Sequence, residues 1–184
     1  MNPKQLGQPS LNNWVEALIR GHRVYGPQAK AGRFAYDRLG SPADLCLDHD
    51  VTILPPKKYL LPPREPLVTF TRSGEFQPVM AAEPLVLFGV HPYDVAAIGR
   101  MDRYFGQDNP DTHYLTRRRN VTIVACDVQT PSENVFATGT GTASVHEGFD
   151  VLLTLVGDTY VAESRTPAAM RCWPRRGSWR TPTR

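Results

Sequence analysis

The stretch that decides the fold is Leu85–Phe105, LVLFGVHPYDVAAIGRMDRYF. Its first six residues are an unbroken apolar run, the pattern of a strand buried on both faces of a parallel sheet. From Asp94 onward the period changes. Ala97, Ile98, Met101, Tyr104 and Phe105 recur at helical spacing and make one apolar stripe, with Asp94 as the expected cap of that helix. Between strand and helix stands His91-Pro92-Tyr93-Asp94, a polar, turn-forming tetrapeptide. In open α/β sheets, ligands bind at such junctions, outside the carboxyl ends of the strands.

Working downstream, Asn109-Pro110 predicts a second short helix with Pro110 at its first position. It ends in Arg117-Arg118-Arg119, read as a solvated helix end whose charge suits the dipole. VTIVAC, residues 121–126, is a second apolar strand. Strand, helical crossover and strand make a βαβ unit, for which a right-handed connection is expected. Upstream, LNNWVEALIR (residues 11–20) predicts a helix with Ser10 as N-cap, Leu11, Trp14 and Leu18 on one face, and Gly21 as its stop. HRVYGPQAKAGRFAYDRL reads as two short strands around a Gly/Pro/Gly region. Residues 40–66 hold six prolines and predict irregular, extended chain. PLVTFT predicts a strand before a turn at Ser73-Gly74, and FDVLLTLVGDTYVAES a hairpin turning at Gly157-Asp158. The expected fold is α/β: a small, mostly parallel sheet with flanking helices and peripheral antiparallel strands. It occupies one domain, residues 1–163. Residues 164–184 are aperiodic and rich in Arg, Pro and Trp, the composition of a disordered tail or of a stretch read out of frame.

Composition narrows the function classes. The net charge is +3, but residues 165–184 carry six arginines and no acid; without those six it becomes −3. The basic character is a property of the tail, so no basic face for nucleic acid is expected. No apolar run reaches the roughly 18 residues of a membrane span, and MNPKQLGQPS lacks the pattern of a signal peptide. A cytoplasmic protein without membrane or nucleic-acid partners is expected. The three cysteines, Cys46, Cys126 and Cys172, have no C-x-x-C spacing and do not form a disulfide or zinc framework.

Three places could carry chemistry. His91-Pro92-Tyr93-Asp94 is either a turn with a capping carboxylate or a loop facing a bound group. Within it, His91 is the histidine placed to ionise near neutral pH. Cys126, ending the second strand, lies on the same sheet edge if the strands are neighbours, as a buried structural thiol or as a metal or redox ligand. The loop ATGTGTAS, with Gly139 and Gly141, offers backbone N–H groups that could cradle a phosphate or nucleotide. His22, His49, His113 and His146 are scattered singly and read as surface or loop residues. No nucleophile–base pair is legible, which favours a non-catalytic subunit over an enzyme acting alone.

The ordered series KYLLPPREPL, VLFGVHPYDVAAIGRMDRYF, YLTRRRNVTIVACDVQTPSENVFATGTGT and GFDVLLTLVGDTYVAE resembles an iron–sulfur electron-transfer subunit family. That family includes the beta subunits of sulfhydrogenases and the iron–sulfur subunit of anaerobic sulfite reductase. The resemblance runs from Val24 to Glu163 and implies [4Fe–4S] clusters that pass electrons to a catalytic or electron-carrier subunit of a redox complex. It places cysteine ligands where this chain has Tyr93, Ser132 and Ala137, leaving Cys126 as the remaining thiol and sole candidate metal ligand. It also implies a frame of Pro92, Asp94, Pro131, Glu133, Asn134, Gly139 and Gly141, which this chain keeps. Such clusters need thiolates, so the resemblance implies a cofactor pocket whose cluster is not retained. No ferredoxin-like cysteine runs follow, so a truncated subunit is expected. The alternatives are a small phosphate- or nucleotide-binding protein using the Gly/Thr loop, and a docking module without chemistry of its own.

Overall fold

The computed structural model describes residues 3–80, 83–133 and 135–166. Nearly all of the Arg/Pro/Trp-rich tail, with Cys172, lies outside the described residues, as does Asn134. In chain order the elements are β1 (Lys4–Gly7), α1 (Gln8–Gly21), β2 (Arg23–Lys30), β3 (Arg33–Arg38), β4 (Val68–Phe70), β5 (Phe76–Pro78) and β6 (Leu85–Val90). There follow α2 (Pro92–Gly106), α3 (Thr112–Arg119), β7 (Val121–Cys126), β8 (Val151–Val156) and β9 (Thr159–Ser164). Two short 3₁₀ turns, Pro42–Asp44 and Pro56–Tyr59, punctuate the proline-dense segment.

Seven strands form one sheet in the order β1-β9-β8-β7-β6-β2-β3, and β4 pairs with β5 as a separate ribbon. The centre is parallel: β2 with β6, β6 with β7, β7 with β8. Both flanks are antiparallel, closed by the β2–β3 and β8–β9 hairpins and by β1 along β9. The α/β expectation therefore holds, with the parallel strands in the middle and the antiparallel ones outside. On one sheet face Leu11, Trp14, Val15 and Leu18 of α1 pack on Val86, Phe88, Val124 and Cys126. On the other, Val95 and Ile98 of α2 and Tyr114 of α3 pack on Leu87, Val90, Ile123 and Ala125. Both faces of β6 and β7 are thus covered, which is why their sequences are apolar throughout rather than alternating.

The helix boundaries correct the sequence reading in three places. α1 begins at Gln8 with Gly7 as its N-cap and a proline in its first turn, where the missing N–H costs nothing; Ser10 is inside the helix, not its cap. α2 begins at Pro92 for the same reason, with His91 at the N-cap, so Asp94 sits within the first turn and caps nothing. α3 begins at Thr112, not Pro110, because the Asp111 carboxylate accepts from the Tyr114 N–H at 2.9 Å. The apolar stripe of α2 is also rotated. Pro92, Val95 and Ile98 are buried, Met101 and Phe105 are partly covered, and Tyr104 is exposed.

The arginine run is not a solvated end. Arg117 donates to the Leu60 carbonyl at 2.8 Å and pairs with Glu65, and Arg118 pairs with Asp102 at 3.0 Å. Of the three, only Arg119 is exposed. These pairs tie α3 to the proline-dense segment and to α2, contacts that sequence spacing does not encode.

Candidate functional site

The site grows from one extra residue in β6. β6 and β7 pair residue for residue from Leu85↔Val121 to Phe88↔Val124, after which Val90 pairs with Ala125. Gly89 is left over as a bulge, at φ +72°. Only glycine sits there without strain. A Cβ would also lie 2.9 Å from Leu47 Cδ2 and 3.2 Å from Pro27 Cδ. The Gly89 carbonyl accepts a 2.6 Å hydrogen bond from the buried Tyr36 hydroxyl, whose pKa burial pushes well up. Because side chains alternate along a strand, one inserted residue swaps faces. Phe88 packs in the α1 layer and Val90 in the α2–α3 layer. The residue after Val90, His91, is aimed over the carboxyl ends of the parallel strands.

His91 is completely buried, and its own carbonyl accepts from the Asp94 and Val95 N–H groups. Its ring lies between two carbonyl oxygens: Nδ1 is 3.0 Å from the Cys126 oxygen and Nε2 is 2.9 Å from the His49 oxygen. A neutral imidazole carries one N–H and donates to one of these two carbonyls at a time. His49 stacks on this ring with centroids 4.1 Å apart and planes 18° apart. It is 3% exposed, so it is a loop histidine, as its isolation in the sequence implied, but not a surface one. Burial, and then the charge of His91, push the His49 pKa down to about 4. Next to this pair the Tyr93 hydroxyl donates to the Asp50 carbonyl at 2.6 Å. Asp94 is pushed up to about 6 by burial, partly offset by Lys57 and His91.

The loop after β7 arrives on the same side. The Ser132 N–H donates to Asp50 Oδ2 at 3.1 Å. A cavity of about 220 Å³ is lined by Val51, Tyr93, Val135, Phe136, Ala137 and two threonines, Thr140 and Thr142. Tyr93 and Ala137 therefore share one cavity, and Ser132 joins Tyr93 through Asp50. The Gly/Thr loop turns three of its N–H groups inward. Thr140 N–H donates to the Phe136 carbonyl at 3.2 Å, Gly141 N–H to Thr138 at 3.2 Å and Thr142 N–H to Ala137 at 2.8 Å. Gly141 has the positive φ such a turn requires, at +68°. Those three N–H groups are engaged inside the loop and are not offered to a phosphate.

Cys126 contributes its backbone rather than its thiol. Its carbonyl holds His91, while its side chain is wholly buried in the α1 layer of the core, 3.9 Å from Gln129 Nε2. Burial pushes this thiol up to about 12. Gln129 donates in turn to the Tyr160 hydroxyl at 2.9 Å. The thiol is not among the groups lining the Tyr93–Ala137 cavity. Among the described residues no group of three or more His, Cys, Asp or Glu side chains is arranged to hold a metal ion. Around the cavity the side-chain donors are the hydroxyls of Tyr93, Thr140 and Thr142, which do not match a thiolate-bound cluster.

The residues that sequence reasoning missed are His49 and Asp50. Their only signal was a polar triplet, Asp48-His49-Asp50, between apolar Leu47 and Val51. A second hollow, about 520 Å³, lies at the opposite, amino end of the strands beside His22, Arg118 and Arg119. No described helix is long and apolar enough to cross a membrane.

Comparison with known proteins finds one clear relationship. The chain is similar to the sulfhydrogenase 2 subunit beta of Pyrococcus furiosus, 34% identical over 139 residues, 76% of this chain. The matched part is 41% of that protein, so the chain spans about two fifths of its relative's length. No family model matches the chain, and no solved structure matches it.

Proposed function

We propose that this chain is a domain of the beta-subunit type of a hydrogenase-like redox complex, and that it docks on a catalytic or electron-carrier subunit without holding a cluster of its own. The observation that carries the first half is the similarity to a sulfhydrogenase beta subunit over three quarters of the chain. The kinship with the iron–sulfur subunit of anaerobic sulfite reductase, and the four-iron type of cluster, belong to the same proposal and rest on the order of the motifs. The second half rests on donor chemistry. A [4Fe–4S] cluster, where a relative binds one, moves single electrons, and it needs sulfur ligands. The Tyr93–Ala137 cavity offers hydroxyls and a methyl group, and Cys126 keeps its thiol protonated in the core. No electron-transfer step is assigned to the cavity.

What the residues of this chain do is hold the cavity's shape. The Gly89 bulge aims His91, His91 gathers the carbonyls of Cys126 and His49, and Asp50 joins Tyr93 to Ser132. The chain, tagged and purified anaerobically from its native cell, is expected to bring down a hydrogenase-type catalytic or electron-carrier subunit in fixed ratio. Purification as a free chain overturns the docking half. Anaerobic incubation with iron and sulfide is expected to leave the protein colourless. Broad absorption near about 400 nm with stoichiometric iron and sulfide overturns the cluster-free half.

A further inference from the structure

We infer that Cys46–Val51 is a strap closed across the carboxyl edge of the parallel strands, clasped by the stacked rings of His49 and His91 and released when the His49 ring takes up a proton. In an open α/β sheet this edge is the usual ligand crevice. Here the chain's own backbone runs along it. Cys46 N–H donates to the Pro27 carbonyl of β2 at 2.9 Å. Leu47 lies against the Gly89 bulge of β6. The His49 carbonyl takes the His91 ring, and Asp50 takes the Tyr93 hydroxyl and the Ser132 N–H. The strap thus spans the ends of β2, β6 and β7 with a few polar contacts, and its stacked ring contact is the histidine pair, with Phe34 and Tyr36 set at an angle to His49 on its other sides.

The clasp has no place for a charge on His49. The His91 ring has a backbone carbonyl at each nitrogen. His49 Nδ1 is buried without a hydrogen bond of normal geometry, and its ring lies flat on that of His91. The backbone of Leu47 and Cys46 favours its charged form by less than burial and His91 oppose it. A proton on His49 would place a cation against a buried ring, away from water. The groups facing the pair are Tyr93 and Asp94 from α2, Tyr36 from β3, Cys126 from β7, and Asp50 on the strap itself. Lys57 acts on Asp94 from the 3₁₀ turn. Asp94, the carboxylate nearest His91, is itself neutralised as pH falls below about 6, so it offers no countercharge at the pH where His49 takes up its proton.

The sign follows from linkage. His49 titrates near 4 when closed and near its ordinary 6.5 when the strap is open to water. The closed state is favoured in full above the open-state value and loses that advantage as pH falls from about 6.5 to about 4. The opening constant then rises about tenfold per pH unit and levels off below about 4.

Hydrogen exchange of the full chain, read by mass spectrometry as protection factors, tests this. Amides of residues 46–51 are expected to lose about twentyfold in protection between pH 7 and pH 5, while those of β7 hold. His49→Phe keeps a flat ring on His91 and removes the proton, so its strap protection is expected to be independent of pH. Equal loss in strap and β7, or a wild-type pH dependence in the His49→Phe protein, overturns the inference. Should that variant not fold, the His49 ring carbon–proton signal of the natural chain decides. Titration well below about 6.5 supports the clasp, and titration at or above it refutes the clasp.

Discussion

Replacing Gly89 by alanine should break the piece of geometry on which the site rests, and the size of the effect can be worked out beforehand. Gly89 has φ +72°, a conformation that costs an L-residue about 1–2 kcal/mol. The new methyl would stand 2.9 Å from Leu47 Cδ2 and 3.2–3.3 Å from the Pro27 ring. The leucine tip can swing away, but the proline ring is fixed by its own backbone, so overpacking adds about 1–3 kcal/mol. The expected loss is about 2–5 kcal/mol in urea unfolding. Gly32→Ala is the matched control. Gly32 has φ +74° in the β2–β3 turn with nothing within 4 Å of the added methyl. It should cost only the conformational part, about 1–2 kcal/mol. The difference between the two variants isolates the packing of strap and β2 on the bulge. If both variants cost the same within about 0.5 kcal/mol, the bulge is not packed as described and the reasoning from it fails. If Gly89→Ala is the costlier and its strap amides also lose protection, strap and bulge are one unit.

Three further outcomes are expected. The Asp94 carboxyl titrates near 6 in the fold against an ordinary 3.8, so the stability it contributes is full below about pH 4 and lost as pH rises through about 6. Asp94→Asn should therefore be more stable than the natural chain at pH 8, on the order of 1–3 kcal/mol, with the gap closing below about pH 4 in parallel urea titrations. Arg117→Ala strands a mostly covered Glu65 and the Leu60 carbonyl and should cost about 2–4 kcal/mol. Arg119→Ala, on the exposed side, should stay within about 0.5 kcal/mol by the same assay. In the folded chain at pH 8, iodoacetamide should modify Cys46 well before Cys126, whose thiol is wholly buried and pushed up to about 12. Equal rates by peptide mapping would contradict the burial of the β7 end.

The elements were legible where a single physical signal dominated. LVLFGV and VTIVAC read correctly as doubly covered strands because both faces of β6 and β7 are buried. The hairpin at Gly157-Asp158 read correctly because turn chemistry is local. Helix starts were less legible. Ser10, Asp94 and Pro110 each lost the expected position: two helices start one turn earlier with a proline among their first residues and no side-chain cap, and the third starts where the Asp111 carboxylate meets the Tyr114 N–H. The site was half legible. His91, Tyr93, Asp94 and Ala137 fall where the strand-to-helix and loop reading placed them, on one side of the sheet. Cys126 is at the right edge with its side chain turned into the other layer. His49 and Asp50 were invisible, since neither lies in a periodic segment.

By itself the sequence determined the parallel centre of the sheet and the place where strand gives way to helix. Hydrophobic periodicity records how many faces of an element are buried, and that is decided within a few residues. Only the tertiary structure decided that a strap lies over the sheet edge. His49 and His91 are 42 positions apart, and their contact depends on the path of the proline-rich segment between them. A single buried pair of rings leaves no period to read, because the energy that joins them comes from non-local burial and from two carbonyls on elements far away in the chain.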